Sequence, residues 1–168
     1  MRQILLVAAA AILIAGCGTD VRKTHPVTGT LTIDGAPADA GIVIWLHPQF
    51  TESDKYPIHP RGETSTAGEF KITTYKTDDG APEGEYVATV EWPQRVGQSS
   101  QFSGDLLGGA FSKPDLNKAK PEFKVNVTPQ GATLTLNLTL TPQQKTALAA
   151  AKKKAAASGS PGFNLTGE

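Results

Sequence analysis

Three histidines, a short acidic run and a few aromatic rings are the side chains of this chain that could do chemistry. His25, His47 and His59 are each followed by proline, and neither His-x-His nor His-x-x-x-His occurs. A three-histidine metal centre competes with plain loop histidines, and the wide spacing favours the loops. Asp78, Asp79, Glu83 and Glu85 flank Gly80, Pro82 and Gly84. Carboxylates this dense can bind calcium or form the acid–base pair of glycoside cleavage, but the glycines and proline favour a solvated turn. No Gly-x-Ser-x-Gly elbow and no phosphate-cradling glycine loop is present. The chain therefore reads as no enzyme, with no catalytic residue, no metal ligand and no cofactor. Trp45, Tyr75 and Trp92 are the rings that could offer a platform to a glycan. Trp92 shares the parity of Tyr86 and Val90 and so points to the core, whereas Trp45 stands opposite Ile42, Ile44 and Leu46 and is the better candidate for exposure. Trp45, Phe111 and Lys113 are the candidate contacts for a glycan or a protein partner.

Cys17 is the only thiol. It follows an apolar run of about 13 residues, Ile4 to Gly16, which as a helix reaches only about 20 Å against a hydrocarbon core of roughly 30 Å. Such a run is a cleaved leader and not a span. Ile14-Ala15-Gly16-Cys17 resembles a bacterial lipobox, which implies a diacylglyceryl thioether on Cys17 with residues 1 to 16 removed. A lone thiol in an exported domain cannot close an internal disulfide, and lipidation explains it best. Two or three acyl chains hold a protein firmly where one does not. The expected location is the cell membrane or the outer membrane, lipid-anchored and facing the periplasm or the exterior.

The sixteen Lys and Arg balance the sixteen Asp and Glu, so the chain lacks the basic excess of a nucleic-acid binder. Residues 17 to 26 read as a tether. From Val27, apolar and threonine positions alternate through Ile33, and Asp34-Gly35 supplies a turn. Residues 42 to 46 are apolar on both registers, which predicts a strand covered on both faces. Strands are predicted on either side of Ala67-Gly68 as a hairpin, and again over residues 86 to 92, after the breaker cluster of residues 79 to 84. Residues 93 to 120 hold Gly97, Gly104, Gly108, Gly109 and Pro114 without a sustained period, and they read as a long functional loop. Phe123 to Val127, the turn Pro129-Gln130-Gly131, and Leu134, Leu136, Leu138 and Leu140 are predicted as a final hairpin. About seven short strands over residues 27 to 141 predict a single antiparallel β-sandwich. Thr141 and Pro142 open a helix rich in alanine and lysine without an apolar stripe, so residues 142 to 168 are expected to be a marginal helix and a disordered tail.

Several segments resemble the small lipoproteins of planctomycete-type bacteria whose domain is similar to the carboxypeptidase regulatory-like, or transthyretin-like, β-sandwich. The residues that carry the likeness are Pro26 to Pro37, Thr66-Ala67-Gly68-Glu69-Phe70, and Asp79 to Tyr86. The usual aspartate after the threonine of the second segment is absent here, and the usual Lys-Tyr segment is replaced by Phe111-Ser112-Lys113-Pro114. The resemblance implies a noncatalytic folding or binding module. Hydrolases of this fold carry a terminal Tyr-Arg-Gly-Ser motif that Phe163 to Glu168 does not match. The function this predicts is a structural or protein-interaction module at the cell envelope, with an envelope glycan as the alternative ligand.

Overall fold

The computed structural model describes residues 21 to 50, 57 to 95 and 102 to 157. Cys17, the apolar leader, most of the tether and the end of the tail lie outside the described residues. Among the described residues no helix is long and apolar enough to cross a membrane.

The elements in chain order are β1 (Thr24–His25), β2 (Val27–Ile33), β3 (Ala36–Pro37), β4 (Val43–Pro48), β5 (Arg61–Glu63), β6 (Glu69–Lys71), β7 (Ala81–Pro82), β8 (Gly84–Glu91), β9 (Pro93–Arg95) and β10 (Phe102–Asp105). They continue with α1 (Pro114–Asn117), a 3-10 turn (Pro121–Phe123), β11 (Lys124–Val127), β12 (Ala132–Leu138) and α2 (Pro142–Ala157). One sheet has the order β11-β8-β4-β5. The other has the order β12-β2-β3, with β6 also paired to β2. The chain is an all-β sandwich. Its core lies between Leu31, Leu134 and Leu136 of one sheet and Ile44, Leu46, Ala88 and Val90 of the other, all at most 3% exposed.

The alternation along β2 and β12 translates directly into faces. Val27 and Leu31, with Leu134, Leu136 and Leu138, point inward, while Thr28, Thr30, Thr133, Thr135 and Asn137 are exposed. β4 is covered on both faces as its apolar run predicts, with Val43 and Ile44 both buried. β8 goes further, since five consecutive residues from Tyr86 to Val90 are buried. The polar face expected there is closed, and Thr89, 1% exposed, satisfies its hydroxyl on His47 Nε2 at 2.9 Å.

Pairing departs from the expected hairpins in two places. β11 pairs with β8, whereas β12 pairs with β2 in parallel through seven residues, from Ala132 against Val27 to Leu138 against Ile33. The turn at residues 128 to 131 is therefore an arch between sheets. Likewise β5 pairs with β4 and β6 with β2, so the turn at Gly68 also carries the chain from one sheet to the other. Asp34-Gly35 closes a tight in-plane hairpin, between β2 and β3. Both residues have positive φ, 52° and 81°, the requirement of the tight turn that matches strand twist.

The corner where β5 passes over the end of β6 depends on Gly62. A Cβ there would collide with the carbonyl oxygen of Lys71 and press on Ile72, while Arg61 and Thr73 exchange backbone hydrogen bonds of 2.9 and 2.7 Å. Gly62→Ala is expected to destabilise the domain by roughly 1–3 kcal/mol, the cost of forced overpacking. A urea unfolding midpoint unchanged in this variant would show that the corner yields without cost.

Candidate binding surface

The side chains with catalytic potential are engaged in holding loops. Asp79 accepts the backbone N–H of Thr74 on Oδ1 at 2.7 Å and those of Tyr75 and Lys76 on Oδ2 at 3.1 and 3.0 Å. Asp78 pairs with Lys71 at 3.3 Å. Asp105 receives the N–H groups of Trp92 and Leu107 on Oδ1 at 2.7 and 3.0 Å, and of Gly109 on Oδ2 at 2.9 Å. His47 is half-buried, and that burial, followed by the charge of nearby His59, lowers the pKa of its imidazole. It is therefore a neutral hydrogen-bond partner at pH 7. Among the described residues no three His, Cys, Asp or Glu side chains group to hold a metal.

The segment from residue 102 to 120 is built into the sandwich and is not a free loop. β11 covers only the first half of β8, and beyond it the backbone of β8 is completed by this segment. Val90 donates to the Phe111 carbonyl at 3.0 Å, and Asn117 Nδ2 reaches the carbonyls of Ala88 and Phe111 at 3.1 and 2.8 Å. Asn117 is fully buried and its Oδ1 has no partner among the described residues. Phe111, expected at a contact surface, is 8% exposed and stacks on Phe123 with ring centroids 6.2 Å apart. That expectation is corrected: the ring fills the gap where β11 ends. Lys113 does remain exposed, at the start of α1, beside an exposed Leu116 that sequence parity did not single out.

The two tryptophans differ less than their parities predict. Trp45 is half-buried with the Arg61 guanidinium 5.6 Å from its ring centre, so it is no open platform. Trp92 is half-buried too, at the margin of the core, with the Lys152 ammonium 4.7 Å from its ring centre. Tyr75 is exposed. Lys152 also reaches Asp39 at 2.7 Å, Lys145 reaches Asp34 at 3.0 Å, and Leu148 packs against the core. The helix α2, expected to be undocked, is thus strapped to the domain by charge. Its start is a reciprocal cap in which Thr141 N–H donates to Gln144 Oε1 at 2.7 Å and Gln144 N–H to Thr141 Oγ1 at 3.3 Å.

Two surfaces remain available for binding. The first is the outer edge of β12. The N–H of Ala132 and the carbonyl of Leu138 turn toward the chain of β2, so the main-chain groups of Thr133, Thr135 and Asn137 face the other way, where no strand pairs among the described residues. The second is an open cleft of about 940 Å³ on the outward face of β2 and β6, continuing onto β5 and bordered by Thr133 of β12. Most threonines elsewhere are struts, such as Thr74, whose hydroxyl donates to the Gly80 carbonyl at 2.5 Å.

The α2 strap predicts a pH response. The hydrogen bond from Lys145 holds the Asp34 carboxyl below its ordinary 3.8. A depressed carboxylate contributes stability above that ordinary value and loses it as pH falls through the folded value. Asp34 is expected to titrate below 3.8 by NMR, and Lys145→Gln to move it upward. An Asp34 titration indifferent to that substitution would mean the ion pair does not form in solution.

No protein-family model matches the chain, and no curated protein sequence matches it. Among solved structures, the chain is similar to the dioxygenase domain of a dioxygenase–carbohydrate-binding protein fusion from the cellulolytic bacterium Streptomyces sp. SirexAA-E. The likeness covers 73% of this chain and 82% of that one at 12% identity, with a TM-score of 0.33, too slight to bear on function.

Proposed function

We propose that this protein is a noncatalytic interaction module held at the cell envelope by a lipid on Cys17, and that it binds a protein partner by adding a strand to the edge of β12. The observation that carries the reading is the unguarded state of that edge. Natural edge strands are blunted by lysine, proline or a bulge. β12 holds seven unbroken pairs with β2, and no charged residue occurs between Val125 and Gln144. The outward main-chain groups of Thr133, Thr135 and Asn137 provide what an incoming extended peptide needs, and the alternate side chains Thr133, Thr135 and Asn137 provide an uncharged face for recognition. The engagement of Asp79, Asp105 and His47 in loop and strand contacts supports a binding role over a catalytic one. Membrane attachment is supported by the leader and by Ile14-Ala15-Gly16-Cys17.

Two measurements test this. Cys17→Ser is expected to move the protein from the membrane fraction to the soluble fraction of the native cell; a variant that stays fully membrane-bound would remove the lipid from the account. Thr135→Pro places a ring on an outward N–H that makes no ladder bond, so the domain is expected to keep its fold. Partners captured with the lipidated wild type from detergent-solubilised membranes are expected to be lost with this variant. Partners retained unchanged while circular dichroism shows a native fold would sink the edge as the docking site.

A further inference from the structure

We propose that the cleft on β2, β6 and β5 is a binding site for a neutral polysaccharide chain, distinct from the β12 edge, with which it shares Thr133 alone. The argument starts from hydroxyls. Thr28, Thr30, Thr66, Thr77 and Thr133 line the cleft. Unlike Thr64 and Thr73, which also line it but whose hydroxyls are committed to internal hydrogen bonds, these five make no side-chain hydrogen bond among the described residues. A threonine hydroxyl donates once and accepts twice, which suits sugar diols that also do both. Its methyl group offers the apolar contact that a sugar's C–H face needs.

Charge narrows the class. The cleft contains Arg61, Lys71, Glu63, Glu69 and Asp78, with Lys71 paired to Asp78 and the Arg61 guanidinium over Trp45. Such a mixed and partly self-paired set has no single-sign field to hold a polyanion, which would need several unpaired cations. Shape narrows it again. The cleft crosses the strands from Thr133 on β12, over Thr28 on β2 and Lys71 on β6, to Arg61 on β5. Three interstrand steps make about 14 Å, so an extended chain of several sugar units can lie across it. The cleft is an open groove through which such a chain can pass without presenting an end. Trp45, the expected aromatic platform, lies outside the lining but adjoins it through Arg61, so the hydroxyl array and not a bare ring is the recognition element.

The test uses the soluble domain after leader removal, with Cys17→Ser, and four probes: the β-1,4-linked glucose hexamer, the β-1,4-linked N-acetylglucosamine hexamer, an α-1,4-linked glucose hexamer, and a sulfated glycan as the polyanion. The expected result is saturable binding of at least one neutral hexamer, with amide shifts confined to residues 28 to 30, 61 to 66, 69 to 78 and 133. Combined Thr28→Val, Thr30→Val and Thr66→Val removes three hydroxyls while keeping β-branched shape and leaving the β12 edge unaltered, and is expected to weaken that binding at least tenfold with an unchanged melting temperature. No saturable binding of any neutral hexamer would overturn the proposal. So would affinity unaffected by the triple substitution, or binding of the sulfated glycan alone. Because Thr135→Pro leaves the cleft lining in place, loss of protein partners in that variant and loss of glycan in the triple variant are separate results.

Discussion

The parallel ladder between β2 and β12 is the constraint from which the rest of the architecture follows. Parallel neighbours cannot be joined by a tight turn, and here the two strands lie about a hundred residues apart in sequence. Everything between them has to leave one sheet, build the other and return. Asp34 fastens the seam: its N–H donates to the Leu138 carbonyl at 2.8 Å and its Oδ1 accepts the Leu140 N–H at 3.2 Å. The same carboxylate then holds Lys145 of α2. One turn residue thus secures the first strand, the last strand and the helix beyond. Closing so long a loop carries an entropic cost before the ladder forms, and the topology is of the slow-folding, nonlocal kind.

The period-two pattern made the strands, their faces and the sandwich legible, because alternation is a direct image of which side is buried. It did not make the pairing legible. Pro129-Gln130-Gly131 and Ala67-Gly68 report that the chain reverses, and turn chemistry alone is the same for an in-plane hairpin and for an arch between sheets. Asp34-Gly35 was readable because a pair of positive-φ residues has few other uses. Parity failed in a related way for Trp45: it assigns a side of a strand, but not what stands over that side, and Arg61 decides that ring. Phe111 lies in a segment without a period, so no parity applied to it, and its place is set by the Phe123 ring. Nothing in the local sequence around Asn117 announced a fully buried amide, since its two acceptors lie on Ala88 and Phe111, one of them far away in the chain.

The polar inventory explains why a motif search finds little chemistry. In a small sandwich with many turns, loop N–H groups must be satisfied by something, and this chain uses carboxylates for the purpose. Asp79 and Asp105 each gather three. A carboxylate that spends three of its roughly four acceptor sites on loop N–H groups is committed to holding the loop. Acidic residues in glycine-rich segments therefore read equally well as metal ligands or as loop pins from sequence, and only the direction of the backbone N–H groups separates the two.

The geometry also orients the domain relative to the proposed anchor. The chain enters at β1, which pairs with β7, and the carbonyl groups of His25 and Pro26 pass so close to Gly80 and Gly131 that a Cβ on either glycine would collide with them. The entry point is thereby fixed at the end of the sandwich where the β11–β12 arch lies. The proposed lipid on Cys17 would hold the arch end within the reach of residues 17 to 23, at most about 25 Å. β2 and β12 run away from that entry point for seven residues, about 23 Å. Asp34, Trp92 and the docked lysines of α2 sit toward the opposite end of the sandwich. Lys145 and Lys152 act on the domain's own acids and ring, and the edge of β12 runs the length of the sandwich with no strand paired to it among the described residues.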